Sequence, residues 1–130
     1  MTAFIDEARR LLRLAARDHQ AFAILAQGNA DMAITCFHAQ QAVEKSLKAV
    51  LTARQIGFPR THNLEELANL IADQGDALPL PPREFRRLNP FAVQFRYDDQ
   101  VIALLTVEEA GQMARLAFDW ASALVGPIQA

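Results

Sequence analysis

Four polar side chains recur at helical spacing within FHAQQAVEKSLKAVL, the segment that spans residues 37–51. They are separated by three, four and three residues: His38, Gln41, Lys45 and Lys48. At about 100° per residue they share one face of a helix, where two ammonium groups, an amide and a titratable ring suit phosphates or acidic side chains. A solvated helix face explains the same pattern equally well, because surface helices carry polar residues on the side turned to water.

Arginines form two further clusters that could bind phosphate through bidentate hydrogen bonds. Asp6, Glu7 and Glu84 stand close enough in the sequence to pair with several of them. Because charge runs are more often solvated faces than binding sites, the clusters alone do not establish a nucleic-acid surface. The net charge of −2 also means that any such role depends on a local patch. The arginines are Arg9, Arg10, Arg13 and Arg17 in one cluster, and Arg83, Arg86, Arg87 and Arg96 in the other.

Most common catalytic motifs are absent from the sequence. It has no glycine-rich phosphate loop, no paired-histidine zinc motif and no serine in a nucleophile elbow. The single cysteine, Cys36, excludes a disulfide or a cysteine metal site within one chain. Asp98 and Asp99 are adjacent, so their carboxylates point in different directions and form a weak metal site. We therefore predict no cofactor, no metal site and no catalytic residue.

The first half of the chain predicts two long helices. Apolar residues recur at spacings of three and four from Phe4 to about Gln27, and again from about Ala30 to Arg54. The intervening QGNAD offers Gly28 as a left-handed C-terminal cap, with Asn29 or Asp31 to cap the second helix. Because the turn is short, the two helices should pack antiparallel. The core stripe predicted for the second helix is Cys36, Gln40, Val43, Leu47 and Val50.

The second half predicts shorter helices. Thr61 or Asn63 should cap a third helix, and Asn89-Pro90 should bend or restart a fourth. Thr106 and Glu109 have the spacing of a capping box ahead of a last helix with a small-residue stripe. The fold class predicted is all-α, an up-down helical bundle of four to five helices. The stripe of the last helix contains Ala110, Ala114, Ala117 and Ala121.

Composition indicates one globular domain over residues 1–130, because 52% of the residues are hydrophobic and 22% are charged. The first ten residues place acids and arginines where a signal peptide needs an apolar run. No run of eighteen apolar residues occurs anywhere in the sequence. We therefore expect a cytoplasmic protein with no membrane partner.

Three ordered segments give the chain a family resemblance: CFHAQQAVEKSLKAVL, PRTHNLEELANLI and LNPFAVQFRYDD. They resemble the FHAQQAxEKxLKAxL, THxLxxL and LNPYAVxxRYP segments of the HEPN domain family. The resemblance spans nearly the whole chain, and three segments in the right order are a specific signal. One departure from the pattern is Asp98, which stands where the family usually has proline.

The resemblance implies a helical bundle that dimerises and is often encoded beside a minimal nucleotidyltransferase, as in toxin–antitoxin pairs. The family name refers to nucleotide binding, and many members are metal-independent ribonucleases. Those ribonucleases carry an arginine followed after four to six residues by a histidine, near the start of the last long helix. No histidine follows His62 in this chain, so Arg96 has no such partner. Arg13 and His19 match the spacing formally, but they lie on the first helix and are interpreted as a chance match.

We therefore predict a non-catalytic HEPN-type binding module that forms a homodimer. Its partner would be a minimal nucleotidyltransferase, or its ligand a nucleotide or RNA. One alternative is a metal-independent ribonuclease toxin whose composite site at the dimer interface draws together Arg96 with His38 or His62. Another is a purely structural dimer. The residues predicted to bind ligand or partner are His38, Gln41, Lys45, Lys48, Arg96 and Tyr97.

Overall fold

The structure is a computed structural model that describes residues 2–92 and 105–126. Within these ranges every regular element is helical, which confirms the all-α helical-bundle prediction. A 3₁₀ helix, Arg86–Phe91, follows directly on the fourth α-helix. The α-helices are α1 (Thr2–Gln27), α2 (Met32–Ala53), α3 (Leu64–Asp73), α4 (Pro82–Phe85) and α5 (Val107–Val125).

The turn between α1 and α2 has a left-handed residue, but one position later than the sequence predicted. Asn29, rather than Gly28, has a positive φ of 55°. The Gly28 N–H still donates to the Ile24 carbonyl and so continues the hydrogen-bond pattern of α1 into the turn. Asparagine tolerates the left-handed region better than most side chains. Asp31 then caps α2 by accepting from the Ala33 backbone N–H at 3.0 Å, as predicted.

The second helix is the central element of the bundle, because it packs against α1, α3, α5 and the 3₁₀ helix. All five residues of its predicted core stripe, from Cys36 to Val50, are fully buried. Four polar residues of α2 are buried as well: Thr35, Gln40, Glu44 and Ser46. An interior helix with polar residues must satisfy them inside the protein.

The first and last helices pack at close range. The predicted alanine stripe of α5 is fully buried. A Cβ atom at Gly111 would lie 2.7 Å from the ring of Phe22, so glycine permits the observed approach of α1 to α5. His19 Nε2 lies 3.0 Å from the Ala114 carbonyl oxygen, and its ring meets Phe118 edge-on with centroids 5.4 Å apart. His19 is therefore packed between α1 and α5 with a hydrogen-bond partner inside the protein.

Side-chain hydrogen bonds cap the starts of α3 and α5. Asn63 accepts from the backbone N–H groups of Glu65 and Glu66 at the start of α3. Asn89, in the 3₁₀ helix, accepts from the Leu64 N–H at 3.0 Å and so ties the predicted bend to the same helix start. Thr106 and Glu109 form the predicted capping box of α5.

Among the described residues, no helix combines the length and apolarity of a membrane span.

Truncation of the central stripe tests this assignment of the core. Leu47 is fully buried on α2, so Leu47→Ala should lower the free energy of unfolding by about 2–5 kcal/mol through reduced burial and a residual cavity. Ile24→Ala is the matched control, because Ile24 is 62% exposed, and it should change stability by less than about 0.5 kcal/mol. Urea unfolding measures both variants. Equal effects of the two substitutions would show that the stripe does not form the core.

Candidate functional site

The polar face of α2, defined as His38, Gln41, Lys45 and Lys48, is turned partly toward other elements of the bundle. Asp18 of α1 is only 8% exposed and lies against this face. Lys45 Nζ donates to Asp18 Oδ2 at 2.5 Å, and His38 Nδ1 lies 3.0 Å from Asp18 Oδ1. One carboxylate of α1 therefore orients two of the four predicted side chains.

A second carboxylate, Glu44, organises the rest of the face. It is 5% exposed and receives hydrogen bonds from three side chains. Gln40 Nε2 donates to Oε1 at 3.0 Å, and Lys48 Nζ donates to Oε2 at 3.0 Å. His62 Nδ1, from the segment just before α3, lies 2.9 Å from Oε1. Because an ionised carboxylate only accepts hydrogen bonds, this nitrogen carries the proton that faces Glu44.

Gln40 joins the polar face to the start of α3. Its amide Nε2 also reaches the His62 backbone oxygen at 3.3 Å, and its Oε1 accepts from Gln41 Nε2 at 2.8 Å. An amide buried within an apolar stripe needs hydrogen-bonding partners inside the protein. That partner is the segment before α3, so Gln40 sets the position of this segment relative to α2.

The hydrogen bonds around Glu44 decide its charge. Burial alone would raise the pKa of this carboxyl, but the hydrogen bonds from Gln40, His62 and Lys48, with the charge of Lys48, outweigh burial and leave the pKa below its ordinary value. Glu44 is therefore ionised at neutral pH. Its charge holds Lys48, whose ammonium group also lies 5.9 Å from the centroid of the Phe58 ring.

The face keeps hydrogen-bonding capacity after these internal bonds are made. The side chain of His62 is 65% exposed, and within the described residues its Nε2 has no protein partner. Lys45 and Lys48 each use one ammonium proton on a carboxylate and remain partly accessible, with side chains 24% and 19% exposed. Since each lysine carries three donors, the outward ones can reach an anion. The arrangement therefore presents oriented donors at the edge of a buried ion network.

The remaining predicted residues divide into two groups. Arg96 and Tyr97 lie outside the described residues. Several arginines outside the polar face form ion pairs with acidic side chains: Arg10 with Glu7, Arg54 with Asp76, and Arg87 with Glu84 and Glu109. Three others are exposed to solvent: Arg13, Arg17 and Arg83. Arg86 Nε lies 3.9 Å from a Glu65 carboxylate oxygen.

Cys36 is fully buried, and burial raises the pKa of its thiol to about 11. A thiol with so high a pKa is a poor nucleophile at neutral pH. Within residues 2–92 and 105–126, no group of three or more histidine, cysteine or acidic side chains could hold a metal ion.

Sequence reasoning found four of the donors but missed the two carboxylates that orient them. Glu44 is four residues from both Gln40 and Lys48, a spacing at which side chains meet on a helix. Its contact with these two side chains could therefore have been predicted from the sequence. Asp18 gave no comparable signal, because it reaches His38 and Lys45 only after α1 packs on α2.

The fold and this face together define an all-α bundle protein with an ordered cationic and imidazole-bearing surface around its central helix. The model of the HEPN domain matches residues 8–124 of the chain. The chain therefore belongs to the HEPN domain family, as its three segments predicted. Comparison with curated proteins and with solved structures yields no match.

The pKa of Glu44 predicts a specific dependence of stability on pH. A carboxyl whose pKa is lowered on folding contributes stability that is present above its unfolded pKa, about 4.3, and is lost as pH falls through the folded value. Glu44→Gln should therefore be less stable than the wild type at neutral pH by about 1–3 kcal/mol, and this difference should shrink below about pH 4. Urea unfolding at a series of pH values measures it.

The control for this experiment is Glu66→Gln, because Glu66 is exposed and makes no ion pair within the described part of the chain. Its stability curve should run nearly parallel to that of the wild type. A stability difference for Glu44→Gln that stays constant from neutral to acidic pH would contradict the role assigned to its charge.

Proposed function

We propose that this protein is a non-catalytic HEPN-type binding module that works as a homodimer. Its polar face binds an anionic group, supplied by a nucleotide or RNA, or by a minimal nucleotidyltransferase partner in a toxin–antitoxin arrangement. The residues proposed for this contact are His38, Gln41, Lys45 and Lys48, with Arg96 and Tyr97 from another part of the sequence.

One observation carries the proposal: the donors of the face are already oriented by buried carboxylates. Asp18 holds Lys45 and His38, and Glu44 holds Lys48 and His62. A flexible surface lysine loses rotamer freedom when it binds, whereas a side chain that is already held loses less. The face is therefore better suited to a ligand than Arg13, Arg17 and Arg83, which are exposed and make no ion pair within the described residues. Arg10 is held by Glu7, but that carboxylate is itself exposed.

Anion binding should depend on the two lysines. Replacement of both, Lys45→Gln with Lys48→Gln, should weaken binding of a short single-stranded RNA or a nucleotide tenfold or more, about 1.4 kcal/mol. If RNA is the ligand, the plot of log affinity against log salt should become shallower, by about 0.7 in slope for each phosphate that the variant no longer neutralises. Fluorescence anisotropy with labelled RNA and calorimetry with nucleotides measure these affinities. Arg96→Ala tests the remaining cation separately.

Arg83→Gln is the matched control, because Arg83 is an exposed cation on α4 and away from the polar face. It should leave the affinity unchanged. Urea unfolding accompanies each variant, so that weaker binding is distinguished from loss of structure. Unchanged affinity in the folded lysine variant would remove these residues from the site, and no binding by the wild type to RNA, nucleotide or nucleotidyltransferase would favour a purely structural dimer.

A second candidate function is metal-independent cleavage of RNA, and the His62–Glu44 pair is the observation that favours it. A carboxylate that orients one imidazole nitrogen while the other faces solvent is the arrangement a general base requires. A composite site would combine His62 or His38 with Arg96, as the family's ribonuclease members combine an arginine and a histidine.

Cleavage of single-stranded RNA in the presence of EDTA tests this candidate. If His62 is the general base, His62→Gln should slow cleavage by about 10²–10⁴-fold while RNA affinity changes little. The same reduction in Glu44→Gln would support an orienting role for the carboxylate. Absence of cleavage by the folded wild type, or full activity of His62→Gln, would exclude His62 catalysis and leave the binding module.

A further inference from the structure

A groove of about 620 Å³ is lined by residues of α1 and α5, and none of the four residues of the polar face lines it. Phe22 of α1 and Phe118 of α5 are half-buried in its wall. Leu116, on the same helix as Phe118, is 47% exposed. Large apolar side chains left in contact with water beside a groove are a common mark of an interaction surface.

Charges of both signs line the same groove. Arg115 and Asp119 are exposed residues one turn apart on α5, and Glu108 lies at the end of the groove nearest the start of that helix. Within the described residues neither Arg115 nor Asp119 forms an ion pair, although four residues separate them. The order of the pair explains this in part, because an acid placed after its base is the less favourable arrangement on a helix.

We infer that a second copy of this chain covers the α1–α5 groove, with Arg115 of each protomer paired to the partner's Asp119 across a two-fold axis. This inference rests on the proposed homodimer and names its surface. A two-fold contact joins the same patch of both subunits, so the patch must be complementary to itself. An apolar groove that carries a cation and an anion on the same helix, both unpaired within the described residues, meets this condition.

The presence of both Arg115 and Asp119 argues against a partner whose contact surface carries charge of one sign only. An acidic partner would leave Asp119 facing a like charge, and a basic partner would do so to Arg115, each with a cost in affinity. A second copy satisfies both charges at once and covers Leu116. The α1 residues of the groove are spread around the helix relative to Asp18, since Gln20 and Ala23 lie about 160° and 140° away from it and Phe22 about 40°. None of the four residues of the polar face lines the groove, so the proposed assembly and the proposed ligand contact use different residues.

Charge reversals that are complementary to each other test this inference. Arg115→Glu alone places two acids at each pairing position of the dimer, and Asp119→Arg alone places two bases there. Each variant should be monomeric, or should dissociate at least tenfold more readily than the wild type, in sedimentation equilibrium at micromolar concentration. A one-to-one mixture of the two variants should form a heterodimer, because both of its pairing positions join an acid to a base. At one position the introduced Glu meets the introduced Arg, and at the other the native Asp119 meets the native Arg115.

Arg83→Glu and Asp73→Arg are the matched controls, since both positions are exposed and lie on α4 and α3, away from the groove. They should leave the mass of the dimer unchanged. A dimeric wild type whose mass survives both groove variants would overturn this surface and leave the homodimer itself in place. A monomeric wild type would overturn both, and variants that fail to recombine on mixing would overturn the two-fold pairing of Arg115 with Asp119. None of these outcomes depends on ligand binding at the polar face, so the two proposals fail separately.

Discussion

The buried charge of Glu44 is the interaction on which the rest of the structure depends. The helix that carries it, α2, packs against four other elements, so Glu44 has almost no access to water. An unpaired carboxylate there would cost on the order of several kcal/mol. Gln40, Lys48 and His62 remove that cost by donating to its two oxygens. Because His62 precedes α3, satisfying one charge also fixes where α3 begins, and Asn63 and Asn89 then cap that helix.

The same hydrogen bonds connect stability to the proposed function. A side chain that stabilises a buried carboxylate with one atom presents its remaining atoms to solvent in a defined orientation, as His62 and Lys48 do around Glu44. Asp18 has the equivalent effect on His38 and Lys45 from the other side of α2. The polar face is therefore neither a simple solvated helix surface nor a separate site added to the bundle. Its order is a consequence of how the central helix is buried.

The first and last helices depend on close packing rather than on charge. Small residues on α5, with Gly111 opposite Phe22, allow the backbones to approach, and His19 spans the contact to the Ala114 carbonyl. This approach forms a groove with an apolar wall and two charges that have no ion-pair partner in the described part of the chain. Asp18 of α1 thus serves the polar face, while its neighbours His19 and Gln20 line the groove. The arrangement lets the proposed binding and assembly use different surfaces of one small bundle.

The sequence by itself determined the features that depend on residues close together in the chain. Helical periodicity predicted both long helices and the buried stripe from Cys36 to Val50. Residue type and spacing predicted Asp31 and the Thr106–Glu109 box as caps, because the hydrogen bonds of a cap join residues only two or three positions apart. It identified the donors of the polar face but not Asp18, and it named Gly28 where Asn29 takes the left-handed conformation. Only the tertiary structure decided which carboxylates hold those donors and which side of α5 stays open. The reason is physical: a helix face follows from spacing within one segment, whereas an ion pair between segments forms only after distant helices have packed at a particular distance and rotation.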